Sequence, residues 1–220
     1  EVTTFRLEGK YTDKRHPDEI KFAKTIEEDL SRRDFTINAI ALKSKTSNLE
    51  PDLVDPFGGE KDLKARIIRT VGRPDERFNE DALRLLRAAR FATELKFDIE
   101  ETTRVAIKKH AALLEAIARE RIRDEFQKLI QTPRAADGIR LLEEVGLLKL
   151  VLPELREGIG VTQNKHHIYN VFEHSVRSLE YAAKQDYPFV IRLASLLHDV
   201  GKPKTKGGEG PDSTFHGHEV

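Results

Sequence analysis

Two groups of side chains in this 220-residue sequence have the types and spacing for chemistry. The first is Glu80-Asp81-Ala82-Leu83-Arg84, extended by Arg87 and Arg90. At about 100° per residue, the three arginines share a sector of about 120° on a helix, opposite Leu85, Ala88, Ala89 and Ala92. Asp81 lies one turn before Arg84, so the two can reach past the helix start together. A carboxylate accepts from an exocyclic amine while a guanidinium donates to a ring nitrogen or carbonyl. Cytosine and adenine carry an amine beside an acceptor. Uracil and guanine would set a carbonyl against the carboxylate and leave buried polar groups unpaired. Such a pair reads C and A and refuses U and G, and it leaves Arg87 and Arg90 to meet triphosphate charge. Upstream, Arg32-Arg33-Asp34-Phe35-Thr36-Ile37-Asn38-Ala39 offers a guanidinium for phosphate or ribose oxygens (Arg33) and a carboxylate that orients it or accepts from a ribose hydroxyl (Asp34). Asn38 can serve the sugar or tie down backbone. Asp55-Pro56-Phe57-Gly58-Gly59 reads as a turn into a capped helix.

The second group is His174 with His198-Asp199, followed by His216 and His218. A His–Asp doublet ending an apolar helix, with histidines on neighbouring segments, supplies imidazole and carboxylate ligands for a divalent transition metal or Mg²⁺. The sequence has no cysteine, which excludes disulfides and thiolate metal sites.

The elements that must position these groups change character along the chain. Residues 1–71 read as mixed α/β. A β-branched stretch Glu1–Arg6 is followed by a charged loop, Leu7–Ile26. The apolar runs Phe35–Leu42 and Leu53–Val54 form a hairpin around the polar turn Lys43–Asn48, and a short basic helix covers Glu60–Arg66. Asn79 is placed to cap a helix over Glu80–Glu94. Further helical patterns cover Glu101–Lys108, Ala111–Ala118, Arg121–Gln131, Arg134–Val145, Val171–Lys184 and Phe189–Asp199. The polar, glycine-containing segment Arg156–Lys165 marks a boundary. The fold class is α+β, with domains at 1–75, 76–155 and 156–220.

Net charge is zero, with 38% apolar and 35% charged residues, so no global field announces a partner. Locally, residues 61–90 hold nine Lys/Arg against five Asp/Glu. No apolar run is long enough to span a bilayer and no signal peptide precedes the first element, which reads as cytoplasmic. The chain opens at Glu1 without Met, and sequence is expected beyond both ends. Oligomeric state leaves no signal.

Glu1–Arg6, Asp13-Lys14-Arg15-His16-Pro17, Glu28–Ala39, Asp55–Gly59 and Glu80–Arg84 occur in the order found in the bacterial (class II) tRNA nucleotidyltransferase/poly(A) polymerase family, which residues 1–150 resemble. The resemblance implies a polymerase-β-like head, of which 1–75 is the C-terminal remnant, and an all-α neck and body. It implies template-independent addition of CMP and AMP from CTP and ATP to the 3′ end of tRNA. It assigns Arg33, Asp81, Arg84, Arg87 and Arg90 to nucleotide binding. The family's phosphate loop and its Asp-x-Asp pair for Mg²⁺ would precede Glu1, and Glu1 would be a third carboxylate of that site. These 220 residues should then not catalyse alone. Residues 166–220 resemble HD-superfamily phosphohydrolases. In that likeness His174, His198 and Asp199 match ligand positions, a last Asp lies past Val220, and His218 adds an outer contact. The long Leu7–Ile26 segment favours CCA or A addition over CC-only addition. The alternatives are a poly(A) polymerase of the same family, an HD phosphohydrolase, and a non-catalytic RNA-binding module.

Overall fold

The computed structural model describes residues 6–8, 20–43, 52–164, 167–208 and 210–218. Glu1 lies outside them, as do most of the Leu7–Ile26 segment and the hairpin turn. The chain divides into two compact units, Glu1–Arg121 and Ile122–Val220.

In the first unit β1 (Arg6–Glu8) pairs antiparallel with β2 (Ile20–Phe22), Leu7 opposite Lys21. The segment expected to be all loop is therefore strand at both ends. Thr25 caps α1 (Ile26–Ser31), whose first turn is acidic as a helix N-terminus prefers. The expected hairpin forms between β3 (Ala41–Lys43) and β4 (Asp52–Val54), with Leu42 opposite Leu53. The apolar run Phe35–Leu42 is not one strand, however. Phe35 makes an isolated bridge to Thr70, and Thr36–Asn38 turns into a 3₁₀ helix before β3 begins. Side chains cause this. Asp34 Oδ1 accepts from the Phe35 N–H at 2.8 Å and from Asn38 Nδ2 at 3.1 Å, and Thr36 Oγ1 donates to Asp62 at 2.7 Å, so side chains hold the turn, while the backbone bonds Thr36 N–H to the Arg69 carbonyl and Val71 N–H to the Asp34 carbonyl flank the bridge. Against this turn packs α2 (Gly59–Ala65), capped by Asp55, whose two oxygens accept from the Gly59 and Glu60 N–H groups. A Cβ at Gly59 would fall 2.1 Å from the Thr36 carbonyl, so the contact requires glycine.

The rest of this unit is built on α3 (Pro74–Glu80) and α4 (Leu83–Leu95), with β5 (Ile67–Ile68) pairing parallel to β6 (Asp98–Ile99) and α5 (Glu101–His110) packing on α3. The helix expected over Glu80–Glu94 begins instead at Leu83, and Glu80 ends the separate helix α3. Asn79 does not cap α4. It lies inside α3, where Nδ2 donates to the Asp75 carbonyl. Asp81 ends α3 in extended conformation, and its Oδ1 accepts from the Leu83 N–H at 3.0 Å at the start of α4. Leu85, Ala88, Ala89 and Ala92 are buried as the period required, joined in the core by Phe35, Ile68 and Phe78. Arg84 and Arg90 are buried as well, which the amphipathic pattern did not foresee. Ala111–Ala116 is 3₁₀ rather than α-helix.

The second unit is helical. The helix α6 (Arg119–Ile130) runs into it, followed by α7 (Ala135–Glu144), α8 (Leu148–Val151), α9 (Pro153–Arg156), α10 (Val171–Lys184), α11 (Phe189–Leu197) and α12 (Lys202–Thr205). Asn170 caps α10 by accepting from the Glu173 N–H at 2.8 Å. α10 packs on α7 and α11 around Ile139, Leu142, Val176 and Leu179, and residues 156–164 belong to this unit. Arg192, 4% exposed, closes the end of α6 by donating to the carbonyls of Ile130, Gln131 and Thr132.

Candidate nucleotide and metal sites

The Arg-Arg-Asp segment and the start of α4 form one cluster. Arg87 Nε donates to Asp34 Oδ2 at 2.8 Å across 53 positions, and Arg84 Nη2 donates to the Arg32 carbonyl at 3.1 Å across 52. Asp34 is the hub, since its other oxygen holds Phe35 and Asn38. Arg33 reaches Asp29 at 3.3 Å with its side chain 43% exposed, which leaves part of it open to a phosphate or ribose contact. Arg90 lies over the Phe91 ring, 4.0 Å from its centroid, and pairs with Glu94 at 2.6 Å.

Two sequence expectations change here. Asp81 and Arg84 do not reach out as a mutual pair: each is held by another residue. Asp81 Oδ2 accepts from Arg121 Nη2 at 2.9 Å, and Arg84 Nη1 donates to Glu80 at 2.7 Å and to the Arg77 carbonyl at 3.2 Å. Arg87 and Arg90 already have carboxylate partners, so triphosphate charge would have to compete for them. The reason is burial. A guanidinium inside the fold must find acceptors there, and α4 is covered on more than its apolar face.

In the second unit, His174, His198 and Asp199 present ligand atoms that all lie within 4.8 Å of one another, a metal-type group among the described residues. The facing Nε2 atoms of His174 and His198 are 3.2 Å apart, and they lie 3.4 and 3.2 Å from Asp199 Oδ2. His198 Nδ1 sits 2.9 Å from the Ser195 carbonyl, where it can only donate, so Nε2 is the atom left for a ligand. Lys202 Nζ also reaches Asp199 Oδ2, at 2.7 Å, and donates to Gln163. His218 approaches Asp199 Oδ1 at 3.6 Å, with Nδ1 on the Phe215 carbonyl. A Cβ at Gly201 would lie 2.2 Å from the His218 carbonyl, so glycine lets this segment close in. Burial would raise the Asp199 carboxyl, but hydrogen bonds from His198 and Lys202 hold it well below the usual carboxylate range. The bond to Asp199 pushes the His198 imidazole up, whereas burial pushes His174 down. Two imidazoles and a carboxylate converging in this way fit a divalent ion.

Residues 1–69 match the "Poly A polymerase head domain", and residues 96–159 match the "Probable RNA and SrmB-binding site of polymerase A". The A-adding tRNA nucleotidyltransferase of Deinococcus radiodurans is 47% identical over 204 residues, 88% of this chain and 45% of that protein. The CCA-adding enzyme of Latilactobacillus sakei is 52% identical over 149 residues, 68% of this chain and 36% of that protein. The chain belongs to the tRNA nucleotidyltransferase/poly(A) polymerase family. Among solved structures, the CCA-adding enzyme of Bacillus stearothermophilus in complex with CTP aligns with a TM-score of 0.58 at 36% identity, over 84% of this chain and 38% of that one. The chain thus spans less than half the length of these relatives. Its α+β, largely helical architecture with a nucleotidyltransferase-like head is that of the family's CCA-adding members.

Within this family member, sequence reasoning missed Arg121, Lys202 and Gln163, and it quoted Glu80 in the motif without seeing that it would hold Arg84. Lys202 had a local signal, three residues after Asp199 and behind Gly201. Arg121 had none, because its partner is 40 positions away. No helix among the described residues is long and apolar enough to cross a membrane.

Proposed function

We propose that the full-length protein adds nucleotides to the 3′ end of tRNA without a template, taking CMP and AMP from CTP and ATP. The observation that carries this reading is the joining of two distant motifs into one arginine-rich cluster by Arg84–Arg32 and Arg87–Asp34. In the reaction the primer 3′-hydroxyl attacks the α-phosphate and pyrophosphate leaves. Mg²⁺ held by head carboxylates, Glu1 among the candidates, would supply the charge neutralisation. Arg33, Arg87 and Arg90 hold phosphate and sugar, Asp34 and Asn38 orient them, and Asp81 with Arg84 reads the base edge. A tRNA substrate places this work in the cytoplasm. The test is competition among CTP, ATP, UTP and GTP on tRNA lacking its 3′ end. Asp81→Ala should lower discrimination against UTP and GTP about tenfold to a hundredfold, since a hydrogen bond to a charged group is worth roughly 1.5–3 kcal/mol. Unchanged selectivity would end the base-reading role.

The match to the A-adding enzyme takes in 88% of the chain against 68% for the CCA-adding one, which favours addition of the terminal A alone as a second reading. The same assay decides it: CMP incorporation into tRNA lacking the whole CCA end supports CCA addition, and AMP incorporation only onto tRNA ending in CC supports the narrower activity.

For the second unit the reading is an HD-type site in which His174 Nε2, His198 Nε2 and Asp199 Oδ2 hold a divalent ion. When bound, the ion would supply an activated water for phosphoester hydrolysis, a side activity. Convergence of the three ligand atoms supports it. Mn²⁺, Ni²⁺ or Co²⁺ should raise the unfolding temperature of the wild type and leave that of His174→Ala unmoved. Equal shifts in both proteins would place the metal elsewhere.

A further inference from the structure

We infer that Lys202 acts as a resident counter-cation of the His174–His198–Asp199 group and keeps its hold on a divalent ion weak; this rests on the metal-binding reading given above. Lys202 Nζ donates to Asp199 Oδ2 at 2.7 Å, and that oxygen is the one lying 3.4 and 3.2 Å from His174 Nε2 and His198 Nε2. The ammonium and an ion would therefore share one carboxylate oxygen. With a ligand bond of about 2 Å they would stand no more than about 5 Å apart. Ligating imidazoles are neutral, so Asp199 brings the only negative charge among the three ligands. Lys202 already balances it.

A lysine usually escapes such a conflict, because its long stem can carry the ammonium out to water. Here it is enclosed. The Lys202 side chain is 11% exposed, Gln163 Oε1 accepts from Nζ at 2.8 Å, and the Phe215 ring centroid lies 5.5 Å from it. Gln163 is buried too, and its Nε2 donates to the Tyr169 carbonyl at 3.2 Å. The short helix α12 is pinned to the residues just before Gln163, by Lys206 on Thr162 Oγ1 at 3.0 Å and by Lys204 on Glu157 at 3.4 Å. The ammonium thus stays beside Asp199 when an ion arrives. An opposing effect must be weighed. A donor behind a ligating carboxylate also orients it, and loss of such a partner typically weakens metal binding tenfold to a hundredfold. Burial decides between the two. Asp199 is enclosed by the fold, with His218 approaching its other oxygen at 3.6 Å, so its direction does not hang on Lys202 alone. The charge of Lys202 has no such substitute, and away from water it is poorly screened. What Lys202 gives the fold by pairing a buried carboxylate, it takes from metal affinity.

The test uses the full-length protein, stripped with a chelator and then dialysed against Mn²⁺ at fixed pH and salt. Binding that survives in His174→Ala belongs to other sites and is subtracted. The remaining Kd should fall at least about tenfold in Lys202→Met. Lys202→Gln, which keeps a donor without the charge, should tighten binding likewise and serves if the methionine variant does not fold. Lys202→Arg keeps the charge and should bind as the wild type does. In chelator, Lys202→Met should unfold at a lower temperature than the wild type, and Mn²⁺ should close most of that gap. Unchanged or weaker His174-dependent binding in Lys202→Met and Lys202→Gln would overturn the inference and leave the metal site standing. Weaker binding in Lys202→Met beside normal binding in Lys202→Gln would also overturn it, since Lys202 would then orient Asp199 rather than oppose the ion. No His174-dependent binding in any of these proteins would remove the metal reading and this inference with it.

Discussion

Around the arginine cluster of the first unit, carboxylates are matched to cations brought from elsewhere in the chain: Asp34 to Arg87, Asp81 to Arg121, Asp75 to Lys109. In the second unit one carboxylate, Asp199, gathers His174, His198, Lys202 and His218 around itself. The first arrangement is a lattice of pairs. A polyanionic ligand enters it by exchange, displacing or sharing a carboxylate for each guanidinium it takes, so its binding should weaken with salt. The second is a point of convergence. Imidazole nitrogens and a carboxylate oxygen already aim at one small volume, which suits a small cation better than an extended anion. The same residue types thus yield different sites according to whether opposite charges are paired or focused.

The largest expected effect breaks that contrast at its carboxylates. Asp199 is 4% exposed and Lys202 11%, so Asp199→Ala leaves an ammonium buried without its counter-charge, at a cost of about 3–5 kcal/mol. Asp34→Ala also removes a buried carboxylate, but Arg87 is 31% exposed and water can take its place, so about 1.5–3 kcal/mol is expected. Urea unfolding should rank the two in that order. Adding Lys202→Met to Asp199→Ala should restore most of the loss, whereas Arg87→Met should do little for Asp34→Ala, whose Phe35 N–H still lacks its acceptor. Equal losses, or no recovery in the first double variant, would mean that the second unit is paired no differently from the first.

What could be read from the sequence follows the same division. His174, His198 and Asp199 come together as their spacing implied, because α10 and α11 are adjacent helices whose ends the pattern located well. The β3–β4 hairpin was equally legible, since two short apolar runs around a polar turn have few other arrangements. The arginine cluster was legible in membership but not in wiring. Asp81 near a helix start fits a continuous helix over residues 80–94 as well as it fits a break, and only the side-chain bond to the Leu83 N–H distinguishes them. Burial of Arg84 and Arg90 was hidden because periodicity assigns charged positions to solvent. Partners 40 to 53 positions away leave no mark in a local pattern.

The smallest expected effect tests one exposed member of the lattice. Asp75, in the first turn of α3, meets Lys109 Nζ at 2.8 Å and His110 Nε2 at 2.5 Å at the end of α5. Hydrogen bonds from Lys109 and then His110 lower its carboxyl to about 2. A carboxyl depressed in the folded state contributes stability that is fully present above its unfolded value, near 3.9, and is lost as pH falls through the folded one. The window therefore runs from about pH 4 down to about pH 2. Because the Asp75 and Lys109 side chains are 41% and 63% exposed, solvent screens the pair and the contribution is small. Asp75→Asn keeps an acceptor but removes the charge. Its urea midpoint should lie slightly below that of the wild type at neutral pH, and the two should converge as pH approaches 2. The gap should also close in 1 M salt, where the screening length falls to about 3 Å. A gap that persists at the acid end would mean that Asp75 supports α3 through its hydrogen bonds alone, and the paired lattice would then not extend to the surface of the first unit.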